Sequence, residues 1–283
     1  MSESIFPIVQ VAGAIGAEIA LDLSCPLDSQ HRVAINDALG EHLVLFFRDQ
    51  QLDREALKRI TKVFAPLIHA PYITHSPNDP DIIEVLKEAG EIDIVNFGGD
   101  WHSDSTFLDR PPAGSVLYAL EIPAFDGDTI WANQAMAYER LPDDLKAQIH
   151  GKQAIHTGAP YGAKASPDER LRPINRDGPR HPKADKECLH PLVRTHPRSN
   201  RKALFVNPVY TVGIKGMTPR ESGPLLAQLY QQATRPEFTC RFRWSKGAVA
   251  IWDNRMTMHY AINDYDGQRR LLWRTTFAGE RPV

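Results

Sequence analysis

Trp101-His102-Ser103-Asp104-Ser105-Thr106-Phe107 is the stretch on which the reading of this chain turns. Its centre is His-x-Asp. Successive side chains of an extended strand leave opposite faces, so His102 and Asp104 are expected on one face. An imidazole and a carboxylate side by side make two thirds of a 2-His-1-carboxylate set, the arrangement that suits non-haem Fe(II) with open coordination positions. A His and an Asp at the end of an element are also common as solvated side chains. A third ligand, and a reason for a metal, have to come from elsewhere in the chain.

Working outward, the pattern predicts many short strands and few helices. Residues 5–24 alternate loosely and read as short strands with a Gly turn. His42-Leu43-Val44-Leu45-Phe46-Phe47-Arg48 is a continuous apolar run, the mark of a buried strand. Strands are also expected at 82–86, 93–97, 113–120, from Thr129 onward and at 271–277. Hairpins are expected at 192–206 and at 239–252, the second around Ser245-Lys246-Gly247. Helices are expected at about 30–40, with Val33, Ile35 and Leu39 inward, at 53–65 behind Asp53, at 134–140, at 143–149, and after the capping-box spacing Thr218-x-x-Glu221. No βαβ alternation is visible. The pattern therefore favours a mainly β domain with flanking helices, built as an antiparallel double-sheet barrel such as a jelly roll. Residues 1–283 read as one domain. Residues 158–189, rich in Pro, Gly and charge with little periodicity, read as a long loop or lid inserted into it.

Composition narrows the class further. Apolar residues make up 42% of the chain and charged residues 24%, as in ordinary globular proteins. The net charge of −2 gives no reason to expect nucleic acid or an anionic membrane as partner. Cys25, Cys188 and Cys240 are odd in number, far apart and without a CxxC, which fits free thiols in a reducing compartment. With no secretory signal pattern and no apolar run of spanning length, a cytoplasmic location is expected.

The candidate third ligand is His259, in Trp252-Asp253-Asn254-Arg255-Met256-Thr257-Met258-His259. Behind it come Arg270 and Arg274, four residues apart in the expected last strand and so on one face. Should that face be the barrel interior, two guanidinium groups point into a closed space and need anions. Carboxylates of the chain could serve. So could a ligand carboxylate, which Arg grips through parallel charge-assisted hydrogen bonds.

With those residues in view, the chain resembles the taurine dioxygenase and chlorophenoxyacetate dioxygenase family of Fe(II)- and 2-oxoglutarate-dependent oxygenases. Five blocks carry the resemblance in family order: 15–19 with 22–24, 41–50, 101–107, 190–197, and 252–259 through to Arg270. It implies a double-stranded β-helix (jelly roll) and His102, Asp104 and His259 as iron ligands. It implies that Arg270 and Thr129 bind the distal carboxylate of 2-oxoglutarate, with Arg274 positioning that cosubstrate or meeting an anionic group of the substrate. The implied reaction uses O2, releases succinate and CO2, and hydroxylates a small organic substrate. Desaturation, epoxidation or ring formation on the same cofactors is the alternative. A Zn hydrolase or a non-catalytic jelly-roll binding protein stands further off, because neither explains Arg270 with Thr129. The carboxylate of Asp104 argues against a halogenase.

The substrate reading is thinner. Arg274 favours a small anion: a sulfonate, carboxylate, phosphonate or sulfate ester. His69-Ala70-Pro71-Tyr72 resembles the family loop that supplies a His and a Tyr to the substrate pocket, and Asn96 could reach the site along the approach to His102. Trp101 and Phe107 are expected to pack the barrel wall. Phe205 and Asn207 lie in a strand that could pass near the pocket. A homodimer or homotetramer is expected by analogy with the family.

Overall fold

The computed structural model describes residues 5–92, 98–162 and 181–283. Its frame follows from a period of two in three apolar strands. In β3 (Val44–Phe47), Val44 and Phe46 face one hydrophobic cluster while Leu45 and Phe47 face another. β5 (Gly114–Glu121) and β13 (Val249–Asp253) divide in the same way: Leu117, Ala119, Ala250 and Trp252 go to the first cluster, and Val116, Tyr118, Val249 and Ile251 to the second. Both faces of these strands are therefore buried, which is why they read as unbroken apolar runs.

These strands are the centre of a sheet whose order is β1 (Ile8–Gln10), β2 (Ala17–Ile19), β3, β13, β5, β15 (Arg270–Phe277) and β4 (Ile83–Lys87). Its outer face is covered by α1 (Ser29–His42), through Ile35, Ala38 and Leu39, and by α2 (Arg54–Thr61), through Leu57 and Ile60. Both helices start at an aspartate cap, Asp28 and Asp53. Its inner face meets a second sheet, β12 (Thr239–Phe242), β6 (Thr129–Asn133) and β14 (Thr257–Ala261). Between the two lie Phe46, Phe242, Trp131, Trp252 and Leu272, with the Phe46 and Phe242 rings stacked at 4.1 Å. Each fully buried side chain of this size is worth about 1.5–3 kcal/mol. In β15, Leu272 points to this inner cluster. Arg270 and Arg274 share its parity, so the barrel interior is where both guanidinium groups go.

The remaining elements close one end. α3 (Gln134–Glu139) and α4 (Asp143–Ile149) follow β6, and β7 (Gln153–His156) pairs with β8 (Cys188–Pro191) and β11 (Thr211–Ile214). β9 (Val193–Thr195) pairs with β10 (Lys202–Leu204), and α5 (Pro219–Ala233) starts at the capping box of Thr218 and Glu221. No helix among the described residues is long and apolar enough to cross a membrane.

Several sequence expectations are corrected. The 239–252 segment is not a hairpin: β12 pairs with β6 and β13 with β3 and β5, so the turn at 245–247 carries the chain from one sheet to the other. β2 and β3 are parallel and joined through α1, a βαβ connection where none was expected. Val33 is 60% exposed, because it lies off the Ile35–Ala38–Leu39 stripe. Within the insertion expected at about 158–189, residues 159–161 and 182–185 form 3-10 turns and Cys188 begins β8, while residues 163–180 lie outside the described residues. The strand expected at 93–97, with Asn96, also lies outside them.

Candidate active site

His102 and His259 face each other in an antiparallel bridge. His102 N donates to His259 O (3.0 Å) and His259 N donates to His102 O (2.7 Å). Residues directly opposite in such a pair share a face, and the imidazole centroids are 4.1 Å apart. Asp104 does not continue a strand, contrary to expectation. It sits in a turn whose next residue, Ser105, has φ +50°. Asn254 clamps this turn: its Oδ1 accepts from Asp104 N (2.7 Å), and its Nδ2 donates to the carbonyls of Asp104 and Pro112. The turn thus does what the strand was expected to do, bringing the carboxylate to the imidazoles. Asp104 Oδ1 is 3.7 Å from His102 Nε2 and 3.9 Å from His259 Nε2, and all three side chains are buried. Among the described residues this is the one His/Cys/Asp/Glu group whose ligand atoms converge, all within 4.8 Å.

The protonation states suit a cation. His102 Nδ1 lies 2.7 Å from Asp100 O, which assigns its proton to Nδ1 and leaves Nε2 as a bare donor. Burial pushes both imidazoles below their ordinary value, His259 the further because His102 is beside it. Burial would raise the Asp104 carboxyl. Arg274 and the two imidazoles outweigh that and hold it at about 2. Arg274 Nη1 donates to Asp104 Oδ1 (3.0 Å), and Ser115 Oγ donates to Oδ2 (3.2 Å). Two neutral imidazoles and an ionised carboxylate, converging in a buried space, form the donor set of a divalent metal with open positions.

Arg270 presents a different problem. It is 3% exposed, and its Nε donates to Gly127 O (3.1 Å). Its Nη2 is buried without a hydrogen-bond partner, and no described carboxylate lies within ion-pair distance. Burial drives its pKa down and outweighs the opposing influence of the Tyr265 hydroxyl and of the Asp128 and Asp264 carboxylates, neither of which reaches ion-pair distance. An unpaired buried guanidinium is costly, so the site is built for an external anion. Its surroundings agree. Thr129 Oγ1 accepts from Trp244 Nε1 (3.0 Å) and so keeps its own proton for another acceptor, and the Trp244 ring lies 5.9 Å from the guanidinium carbon. Gly127 has φ +67°, and a Cβ there would come within 3.2 Å of Arg270 Cδ and of Tyr265, so glycine is needed for the close approach.

Of the expected substrate residues, Tyr72 lies on the site side, its ring 6.1 Å from Phe107 and 5.0 Å from His181. His69 is not brought in: its side chain is 57% exposed and its Nε2 lies 2.7 Å from Asp81 Oδ1. Trp101 packs on Tyr260. Asn207 Nδ2 donates to Thr106 Oγ1, and Phe205 packs against His156 and His190, so both back the metal-bearing turn. Sequence reasoning gave no role to Asn254 or Ser115, and passed over Tyr161 and Tyr210. Only Asn254 and Ser115 had a signal, their placement in or beside the segments that carry the ligands.

A jelly roll that gathers neutral histidines and an ionised aspartate at one point, and a carboxylate-seeking arginine at another, is built to hold a metal and a dicarboxylic cosubstrate together. That is the class of Fe(II)- and 2-oxoglutarate-dependent dioxygenases. The chain belongs to the taurine catabolism dioxygenase TauD, TfdA family, whose model matches residues 5–276. It is 37% identical over 275 residues to an alpha-ketoglutarate-dependent sulfate ester dioxygenase of Pseudomonas putida (96% of this chain, 89% of the relative). It is also 37% identical over 279 residues to an alkylsulfatase of Acinetobacter baylyi (96% and 84%). A crystal structure of a taurine dioxygenase from Burkholderia xenovorans superposes with a TM-score of 0.82 at 34% identity, covering 99% of this chain and 93% of that one. AAD-2, solved with Mn(II) and N-oxalylglycine, superposes with a TM-score of 0.77 at 28% identity, covering 98% of each. The protein is an enzyme of this class, and Fe(II), 2-oxoglutarate and O2 are its cofactors.

Proposed function

We propose that the enzyme hydroxylates small organic anions, with alkyl sulfate esters as the leading class. The observation that carries this reading is the placement of two buried guanidinium groups on one face of β15, with Arg274 beside Asp104 and Arg270 keeping a buried Nη2 that has no hydrogen-bond partner among the described residues. The likeness to a sulfate ester dioxygenase and an alkylsulfatase supports the choice among anions.

In this reading His102, Asp104 and His259 hold Fe(II), and Arg270 with the Thr129 hydroxyl binds the distal carboxylate of 2-oxoglutarate. Arg274 holds Asp104 ionised and, from the same face of β15, is placed to position the cosubstrate or meet the substrate's anionic group. Tyr72 and Phe107 line the substrate side, and His69 takes no part. When bound, iron and 2-oxoglutarate supply the oxidising power, with release of succinate and CO2. The chain fixes the substrate carbon and keeps water out. A hydroxyl placed on the carbon bearing an ester oxygen makes a hemiacetal sulfate, which collapses to an aldehyde and inorganic sulfate. The three free cysteines support a reducing compartment such as the cytoplasm, and a homodimer or homotetramer is proposed by analogy with the family.

The test has two stages. Fe(II) and 2-oxoglutarate added without oxygen should give a weak visible charge-transfer band that is lost in His102→Ala. With oxygen, hexyl sulfate should stimulate succinate release and yield hexanal and sulfate. Absence of stimulation by hexyl sulfate, hexanesulfonate and hexanoate alike would remove the small-anion reading.

A further inference from the structure

Tyr161 and Tyr210 form a hydroxyl pair that the cofactors do not explain. Their oxygens are 3.0 Å apart, and both side chains are buried at 4% exposure. Tyr161 closes a 3-10 turn after β7, and Tyr210 ends the turn before β11. Tyr210 is held rigidly. Its N–H donates to Asn207 Oδ1 (2.9 Å), its carbonyl accepts from Thr157 N (2.9 Å), and Asn207 Nδ2 reaches Thr106 Oγ1 in the turn that carries Asp104. Its ring meets His102 edge-on at 6.4 Å and Phe107 at 5.1 Å, and Phe107 also touches Tyr161 at 5.8 Å. The pair therefore borders the metal ligands on the His102 side. Both hydroxyls lie within the electrostatic reach of Asp104 and Arg274.

A count of protons gives the argument. Two phenols carry two O–H donors. One is consumed in the bond between them. The other has no acceptor among the described residues, where neither oxygen has a second hydrogen-bond partner. A phenol is an O–H donor at neutral pH, so the spare donor persists. Buried donors are normally satisfied. Arg270 is the donor left for the cosubstrate on the far side of the barrel, whereas this O–H lies on the Tyr72–Phe107 side with Arg274 as the nearby cation.

We infer that the Tyr161–Tyr210 pair donates its spare O–H to an oxygen of the substrate's anionic head group. This makes it a specificity-determining element for acceptor-rich oxyanions such as sulfate esters. The inference rests on the small-anion reading above. A bond from one phenol to the other relays polarity, so the donating hydroxyl is a better donor than a lone tyrosine.

The test uses the full-length enzyme loaded with Fe(II) and 2-oxoglutarate, with hexyl sulfate as probe. Binding is measured by calorimetry without oxygen, and turnover by succinate release with oxygen. The rings stay in place in Tyr161→Phe, Tyr210→Phe and the double variant. The double variant should bind hexyl sulfate at least about tenfold more weakly, the scale of a hydrogen bond to a charged group. Its KM should rise in step, its kcat should stay within about threefold, and its KM for 2-oxoglutarate should not move. One single variant should lose most of that affinity and the other little, since the surviving phenol regains a free donor only when it is the one that faces the substrate. Unchanged hexyl sulfate binding in the double variant overturns the inference, as does an equal loss in the KM for 2-oxoglutarate. If the wild type binds neither hexyl sulfate nor the other two anions, it is the small-anion reading that fails.

Discussion

Two buried ionic clusters in this barrel are built from the same residue types and end in opposite states. In one, Arg255 grips Asp253 with two bonds of 2.9 and 2.5 Å, and His196 Nε2 lies 3.0 Å from the same carboxylate. Ser199 N–H points at His196 Nδ1, which assigns the imidazole proton to Nε2. Glu280 joins Arg194 to Arg255. Two carboxylates meet two guanidiniums, so the charges of the cluster are matched within the chain. In the other, Arg274 meets Asp104, Arg270 has no ion-pair partner among the described residues and keeps a buried Nη2 without a hydrogen bond, and both imidazoles are pushed towards neutrality. The first cluster is structural. The second is unfinished, and its deficit describes its ligands.

Five experiments break or sharpen that contrast. The largest effect belongs to the proposed metal ligands: His259→Ala should abolish succinate formation, and normal turnover in that variant would remove the assignment. Next is Arg255→Ala, which strands a buried carboxylate. Stability should fall by about 3–5 kcal/mol, read as a large drop in Tm, with 2-oxoglutarate binding retained in the folded fraction. Arg270→Ala should do the reverse. Binding of 2-oxoglutarate should weaken by about 2–5 kcal/mol, the scale for losing one partner of a buried charge pair, while thermal stability of the apoprotein holds or rises because an unpaired buried cation is gone. A Tm loss in Arg270→Ala as deep as in Arg255→Ala would erase the distinction between the clusters.

Arg274→Gln comes fourth. Without that cation, burial dominates at Asp104 and its carboxyl rises from about 2. Metal affinity should fall about 10- to 100-fold, and metal loss on acidification should begin at a higher pH. In the wild-type apoprotein the sign is fixed by the depressed value. The stability due to Asp104 is complete above the ordinary carboxyl value of about 3.9 and is lost as pH falls through about 2. Ser115→Ala should be the mildest, removing one 3.2 Å bond worth about 1 kcal/mol.

Much of this was legible in the sequence, for physical reasons that differ by element. β3, β5 and β13 announce themselves because burial on both faces leaves them mostly apolar, with Ser115 and Asp253 as the buried polar exceptions. The His102, Asp104, His259 and Arg270 set is legible because each residue type is rare inside a protein and expensive without a partner. The geometry joining them is not. His-x-Asp was read as a strand, and a turn with Ser105 at positive φ delivers the same convergence. The turn at 245–247 looks the same to a sequence whether it folds a hairpin or crosses between sheets, since the period of two is blind to which sheet a strand joins. Tyr161 and Tyr210 are 49 residues apart and carry no local pattern, so only the fold brings their hydroxyls together.

The two arginines of β15 also work as a ruler. The strand is hydrogen-bonded to β4 on one side and to β5 on the other, so it cannot slide. Four residues along it span about 13 Å, and that length sets the distance between Arg270, the proposed anchor for the cosubstrate's far end, and Arg274, the cation beside the proposed metal ligand Asp104. Between these marks β5 carries one extra residue, Leu120, opposite the Leu271–Leu272 step, so the irregularity is taken up by the neighbour and not by β15. Inserting a single residue between the arginines would turn one of them out towards the helices. The spacing can change only in steps of two residues, about 7 Å, which is coarser than the difference between one small organic anion and another. New substrates are therefore accommodated by changing the side chains that stand beside the marks, such as the tyrosine pair, while the marks themselves stay where they are.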